Sequence, residues 1–542
     1  MTKDESIKEK SNYLRGSIKE ELSQNTAKFN PEDSKLLKFH GVYEQDNRDS
    51  RQERIAKKQE KEYIFMIRTK LPGGMLTSDQ YIELDDISNT YTNKTLRITT
   101  RQTIQFHGII KGNLHKTLNE INKKLITTYG GCGDVVRNVM APPIADIDPS
   151  YPCDLIKIAT EISNYFLPKS KAYFEIWVDD EKVDLASEAE PIYGKTYLPR
   201  KFKIAIGTED DNSVDLFTQD VGLIAIVKSG KLTGFDVLVG GGLGHNHNKP
   251  ETYPRLASML GFVKLENLIT ILETIVTTQR DFGGRENRKH ARMKYLIDDN
   301  GLEWFKKEVE KRSKIKLEKK VSNGNFKIKD YLGWHKQKDG NWYLGIFIEN
   351  GRISDQSKRK TKSGLREIIT RFKSNVRFTP QQNIILTDIK EDDKANIDKL
   401  LEKYNFFMPS KNLSNLRRNS MACVALPTCG LALAESERAL PGILDKLEEM
   451  GHGDIEVSLR MSGCPNSCSR PPVSEIGIIG TSANKYNLYL GGAFEGNRLN
   501  IKIKDNVEGE TLAIEIGNII DKYKKERKAN EKLGDFYQRI GI

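Results

Sequence analysis

Apolar and polar positions alternate in three short stretches of this chain. Ile455, Val457, Leu459 and Met461 alternate with Glu456, Ser458 and Arg460, which predicts a strand with one face toward a core. It runs into Gly463-Cys464-Pro465-Asn466, a turn sequence in which proline pre-sets the bend. Over residues 97–107 a second strand is predicted. Arg97, Thr99, Arg101, Thr103, Gln105 and His107 share one face, with Ile98, Ile104 and Phe106 on the other. In residues 197–207, Lys201 and Lys203 share a face opposite Phe202, Ile204 and Ile206. Helical stretches are predicted at NLITILETIVTTQ (267–279) and at GLALAESERAL (430–440).

The pattern repeats. LRITTRQTIQFHGI (96–109) and VRFTPQQNIILTDI (376–389) share five of fourteen positions, and RNVMA (137–141) returns as RNSMA (418–422). Val239-Gly240-Gly241 later answers to Leu490-Gly491-Gly492. Three matches in order argue for a duplicated α+β unit, with halves near 61–330 and 331–542. A ligand is expected in the crevice between them. The copies are not equivalent, because Arg101 aligns with Gln381.

The first 60 residues are dense in charge, which predicts an arm and a candidate docking segment. Residues 36–51 are expected to pack on the body. The N-terminus has no apolar signal-like region, and no stretch reaches the roughly 20 apolar residues of a membrane span. Six cysteines in 542 residues are not a disulfide scaffold, so the expected compartment is the cytoplasm. The net charge of +11 leaves nucleic acid open as a partner, as does the basic stretch QRDFGGRENRKHARMK (279–294). Aromatic residues are not interleaved there as stacking platforms. GGGLGHNHN (240–248) is not read as a dinucleotide loop, since no helix follows it and Pro250 comes soon after.

Four cysteines carry the strongest chemical signal: Cys423 and Cys429 in CVALPTC, Cys464 and Cys468 in CPNSC. A five-residue gap is wide for paired zinc ligands and suits the separated iron corners of a cubane. A structural zinc protein and an iron–sulfur nucleic-acid-binding protein stay open at this point. The predicted helix after Cys429 would favour its thiolate. Cys132 and Cys153 lie outside these motifs.

Taken together, FHGVYEQDNRD, LPGG, TTRQTIQFHG, YLPRKFK, LVGGGLG, TTQRDFG, SMACVALPTC and SGCPNSC resemble the siroheme- and [4Fe–4S]-containing sulfite/nitrite reductases. The resemblance covers nearly the whole chain and is nearest to the hemoprotein (β) subunits of bacterial NADPH-dependent assimilatory enzymes. It implies an internally duplicated α+β fold. Paired ferredoxin-like half-domains (61–130 and 331–405) would join a siroheme/substrate domain (131–330) and a [4Fe–4S]–siroheme domain (406–542), behind the arm (1–60). It implies that Cys423, Cys429, Cys464 and Cys468 hold the cluster, with Cys468 also reaching the siroheme iron. Arg97, Arg101, Gln105 and Asn466 then fall at the macrocycle, and Arg68, Arg137, Lys201 and Lys203 around a bound sulfite. Reducing the sulfite dianion to hydrosulfide takes six electrons and seven protons, so arginines are expected to clamp it and lysines to donate protons. Lys203 favours sulfite over nitrite, since nitrite-reducing relatives tend to carry a neutral amide there. No flavin or NADPH site is recognisable. Electrons are therefore expected from a flavoprotein subunit carrying FAD, FMN and the NADPH site, or alternatively from a ferredoxin.

Overall fold

The computed structural model describes residues 2–169, 176–178, 181–183, 190–247, 249–355 and 358–542. Asn248, the last residue of the glycine-rich loop, lies outside them. The duplication is visible strand by strand. In the first copy a hairpin joins Leu96–Ile98 to Ile104–Ile109, and in the second Asn375–Phe378 to Ile384–Ile389. The single strand predicted over 97–107 is therefore two. Alternation continues through Thr99–Thr103, but Gln102 adopts a left-handed φ of 56° and Thr99 N donates to Thr103 O at 2.8 Å, closing a turn. The second copy repeats it, with Gln382 at 66° and Thr379 N donating to Asn383 O at 2.9 Å.

Each hairpin sits in a five-stranded antiparallel sheet that borrows an edge strand from the other copy. Arg352–Ile353 pairs with Leu96–Ile98, and Met75–Leu76 with Asn375–Phe378. Glycine permits both exchanges. A Cβ on Gly74 would stand 2.7 Å from Phe378 O, and one on Gly351 2.4 Å from Ile98 O. The two sheets share one apolar core, including Phe65, Phe106, Leu344 and Ile384.

Two larger sheets follow the same plan. One orders Ser258–Lys264, Lys231–Val239, Val221–Lys228 and Ile204–Gly207, covered by the helix Leu268–Phe282. The other orders Ser420–Ala422, Leu459–Ser462, Ile476–Ser482, Lys485–Leu490 and Ile501–Glu508, with the helix Leu512–Glu526. In both, the strands nearest the site pair in parallel; Ser420–Ala422 and Leu459–Ser462 run at their C-terminal ends into the cysteine loops, whereas Lys201 and Lys203 precede the N-terminal end of Ile204–Gly207.

Several sequence expectations change here. Only Leu459–Ser462 of the 455–461 stretch pairs, and it is buried on both faces. Arg460 lies inside, 2.8 Å from Asp215. Residues 430–439 form no helix, and the helix starts at Leu440. Groups of this segment are engaged elsewhere: the amides Leu433 N and Ala434 N both donate to Gly463 O, and the Ser436 hydroxyl donates to Met461 O. Cys429 is thus not at a helix N-terminus. The first residues form short helices against the body, with Ile7 and Leu14 in the core that holds Phe202. Lys8 donates to Leu198 O there. The basic stretch 279–294 is largely internalised. Arg285 pairs with Glu5, Arg288 with Asp134 and Arg292 with Asp220, leaving little of it for phosphate. No helix among the described residues is long and apolar enough to cross a membrane.

Candidate active site

The cysteine loops grow from two neighbouring parallel strands. Ala422 and Met461 are register partners, so Cys423 and the Gly463–Cys464 turn leave the sheet side by side. Cys423 N donates to Met461 O at 3.1 Å, and Gly463 N donates back to Cys423 Sγ at 3.3 Å. Gly463 tolerates no side chain, since a Cβ would meet Ala434 O at 2.5 Å. Asn466 Nδ2 donates to Cys464 Sγ at 3.5 Å. The four thiols share one electrostatic neighbourhood. Burial, then the neighbouring thiols, pushes Cys423 up to about 11 and Cys464 to about 12; burial and Cys468 also raise Cys429. Cys468 is the exposed member of the set. Among the described residues no three His, Cys, Asp or Glu side chains are gathered as for a single ion. Thiols distributed over two loops fit a larger polynuclear cluster.

Facing Cys468 is a field of cations. Arg68, Gln105, Arg97 and Arg352 occupy successive cross-strand positions of the first sheet. With its amide oxygen turned inward, Gln105 accepts from Arg68 Nη2 at 2.5 Å and Nε at 3.2 Å. Arg137 projects from the RNVMA segment, where Nε donates to Gly133 O at 2.7 Å. Arg101, at the tip of the first hairpin, reaches Asn138 O at 2.5 Å, Gln219 Oε1 at 2.8 Å and Ile204 O at 3.1 Å. Lys203 N is fixed by Asp220 at 2.9 Å, so the lysine begins just before the strand Ile204–Gly207. Among the described residues none of Arg68, Arg101, Arg137, Lys201 or Lys203 has a carboxylate at ion-pair distance.

Crowding has the expected consequence. Burial and then Arg200 and Arg292 depress Lys201 to about 7, while the Cys468 thiol acts to raise it. Burial and Lys201 take Lys203 well below the ordinary lysine value. Arg101 falls to about 9 through burial and Arg137. Arg68 moves the other way: burial opposes its charge, but Cys132, Tyr43, Cys468 and Cys429 outweigh it. Uncompensated cations at such density fit a ligand that supplies several negative charges.

Arg97 differs from its expectation as an open cation. Its Nε donates to Glu437 at 2.7 Å and Nη2 to Ala422 O at 3.0 Å, while Arg352 grips the same carboxylate. Arg97 therefore ties the first sheet to the cysteine-bearing strand. His107 is buried beside Arg352, 3.4 Å from its Nη1. The structure also adds groups that the sequence reading passed over. Thr100 Oγ1 donates to Cys468 O at 3.1 Å. Arg48, from the N-terminal segment, donates to Cys429 O and Ala432 O at 3.3 Å. Lys70 is buried behind Arg137 and held to about 7 by burial and that arginine. His245 N donates to Pro465 O at 3.0 Å, bringing the glycine-rich loop onto the CPNSC turn. Of these, Arg48 lies within FHGVYEQDNRD, Thr100 within TTRQTIQFHG and His245 within GGGLGHNHN, but their contacts had no signal in the sequence.

Residues 132–317 match the nitrite and sulphite reductase 4Fe-4S domain, and residues 56–124 and 335–404 match the nitrite/sulfite reductase ferredoxin-like half domain. The sulfite reductase [NADPH] hemoprotein beta-component of Oceanobacillus iheyensis is 47% identical over 99% of this chain and 94% of its own length. Its counterpart in Anoxybacillus flavithermus is 46% identical, over 99% and 95%. The Mycobacterium tuberculosis NirA structure shares the fold at a TM-score of 0.80, with 24% identity, over 99% of this chain and 96% of that one. The chain belongs to the nitrite and sulphite reductase family.

Proposed function

We propose that this chain is the hemoprotein subunit of an NADPH-dependent sulfite reductase, reducing sulfite to sulfide for sulfate assimilation and cysteine biosynthesis. One observation carries the reading. Arg68, Arg101, Arg137, Lys201 and Lys203, without carboxylate partners among the described residues, share a field with the exposed Cys468 thiol. The names of relatives at 45–47% identity over nearly the full chain support it.

The donor set fits both prosthetic groups. Cys423, Cys429, Cys464 and Cys468 would hold a [4Fe–4S] cluster, with Cys468 also the ligand that reaches a siroheme iron. Arg101, Gln105 and Asn466, backed by Arg97, would lie against that tetrapyrrole and its carboxylates. Bound, the pair supplies electrons singly to the substrate sulfur. The chain's own side chains do the rest. Arg68 and Arg137 keep their charge and clamp the sulfite dianion. Lys201, near 7, sits where a proton donor exchanges readily with water at neutral pH, and Lys203 stands beside it.

Electrons are assigned to a flavoprotein subunit carrying FAD, FMN and the NADPH site, in the cytoplasm; a ferredoxin is the competing donor. The test combines spectrum and turnover. Anaerobically purified protein should show siroheme and iron–sulfur absorption and reduce sulfite with reduced methyl viologen. NADPH should drive the reaction only when the flavoprotein is added. A colourless chain that stays so after reconstitution overturns the reading, and full activity of Lys201→Met at normal siroheme content removes the proton-donor role.

A further inference from the structure

The loop Gly130-Gly131-Cys132-Gly133-Asp134 touches both arginines assigned to the substrate anion. Gly131 O and Gly133 O accept from Arg137 at 3.3 and 2.7 Å. Between them, the fully buried Cys132 turns its sulfur the other way and accepts from Arg68 Nη1 at 3.2 Å. Three consecutive residues thus hold two guanidiniums.

The loop is itself fixed. Gly130 N donates to Phe39 O at 2.8 Å, Gly131 N to Thr128 O at 3.0 Å, and Leu198 N to Asp134 O at 3.0 Å. Asp134 is anchored by Arg288 at 2.8 Å. Neither flanking glycine can carry a side chain. A Cβ on Gly131 would lie 2.8 Å from Arg68 O, and one on Gly133, where φ is 86°, 2.7 Å from the Phe39 ring.

We propose that Gly131–Gly133 is a clamp that sets the spacing of Arg68 and Arg137, and that Cys132 is the positioning residue for Arg68. This rests on the anion-binding reading above. Arg68 has five N–H donors. Cys132 and Gln105 bind Nη1, Nη2 and Nε from within the protein, and the Tyr43 ring lies 5.9 Å from the guanidinium carbon. The rest of the fork is left for a ligand. A sulfur suits this task because it is a weak acceptor. It orients the guanidinium with one hydrogen bond, whereas Glu437 forms an ion pair with Arg97.

The experiment uses the holoprotein with reduced methyl viologen as donor. Sulfite KM and kcat are measured together with the Kd of inorganic phosphate for the oxidised protein, and cofactor content is determined for each variant. Cys132→Val, which replaces the sulfur acceptor with a somewhat larger apolar group, should raise both sulfite KM and phosphate Kd about fivefold or more, with kcat within about twofold. Cys132→Ser, which restores an acceptor, should recover most of the loss. Should valine bind cofactor poorly, Cys132→Ala replaces it. The proposal is overturned if the variant lacking an acceptor binds phosphate and sulfite like the parent, or if serine is no better than valine. Arg68→Gln is run alongside: unchanged KM and Kd in that variant would sink the anion-binding reading itself.

Discussion

In the first copy of the duplicated unit, Lys203 N donates to Asp220 at 2.9 Å; in the second, Ser458 N donates to Glu475 at 2.9 Å. That shared contact puts Ser458 where Lys203 stands and Glu456 where Lys201 stands. The hairpin turns set Gln381 against Arg101, and the RN-MA segments set Arg418 against Arg137. Gly345, the strand neighbour of Ile385, answers to Arg68, the neighbour of Gln105. Gly345, Gln381, Arg418 and Glu456 line one cavity of about 300 Å³. The fold has built the cleft twice. In the second copy Gln381 donates to Ser213 O at 2.8 Å and Arg418 pairs with Asp330, so among the described residues these positions offer no uncompensated cation. Sheet topology provides the recess, and a handful of side chains decides which recess takes an anion. The second copy instead supplies the thiols, and the exposed one faces the first copy's cations. The site belongs to neither half alone.

The sharpest break in that division of labour is Cys468→Ser, which removes the thiol joining the two contributions. A serine hydroxyl stays protonated at neutral pH and is no substitute for a thiolate. Turnover should be undetectable, and iron and acid-labile sulfide per chain should fall with the visible absorption. Normal absorption with full turnover would refute the assignment.

Lys201→Glu gives the first cleft the residue of the second. Losing a proton donor and adding a negative charge should lower kcat for sulfite by about 10²- to 10⁴-fold. Cofactor content should hold, because Lys201 is not among the residues assigned to the macrocycle. A milder conversion is Arg101→Gln, copying Gln381. Three hydrogen bonds from a charged fork disappear, and siroheme retention should weaken by about tenfold, read as pigment lost on dilution or gel filtration.

Both copies use the same buried acid position, but its charge is matched in only one. Asp220 lies 2.9 Å from Arg292, whereas Glu475 accepts only from Ser458 and Gly534 and has no cation at ion-pair distance among the described residues. Burial raises Glu475 to about 7. The folded state therefore holds a proton that the unfolded chain releases near the ordinary glutamate value. Stability from this group is present at low pH and is lost as pH rises from about 4.5 to about 7, by up to about 3 kcal/mol. Glu475→Gln should flatten denaturant midpoints across that window; an unchanged slope would contradict it.

How much of this was legible depends on the range of the contacts. The duplication, the cysteine pairs and the cation-bearing segments announce themselves through spacing and alternation over a dozen residues. The hairpin at 99–103 does not, because alternation runs on through the turn and only Gln102's left-handed backbone breaks it. GLALAESERAL has good helix formers, yet Gly463 O takes its amides and Glu437 is drawn to Arg97 and Arg352. Arg97 looked available because its carboxylate lies 340 residues away. Cys132 carried no sequence signal, since its partner is set by sheet packing rather than by neighbours.

The gentlest test reverses the comparison. Asp330→Asn frees Arg418 in the second cleft and restores one cation to the position that answers to Arg137. If fold alone made the anion site, this change would create competition for sulfite. The cleft would still lack a counterpart of Arg68, since Gly345 stands there, and it would still carry Glu456 in place of a lysine. One exposed ion pair contributes on the order of 1 kcal/mol or less, so stability and sulfite kinetics should each move little, with KM changed less than about twofold. A severalfold rise in sulfite KM would mean that the two clefts are coupled through the shared core. Their separation into an active and a silent copy would then have to be abandoned.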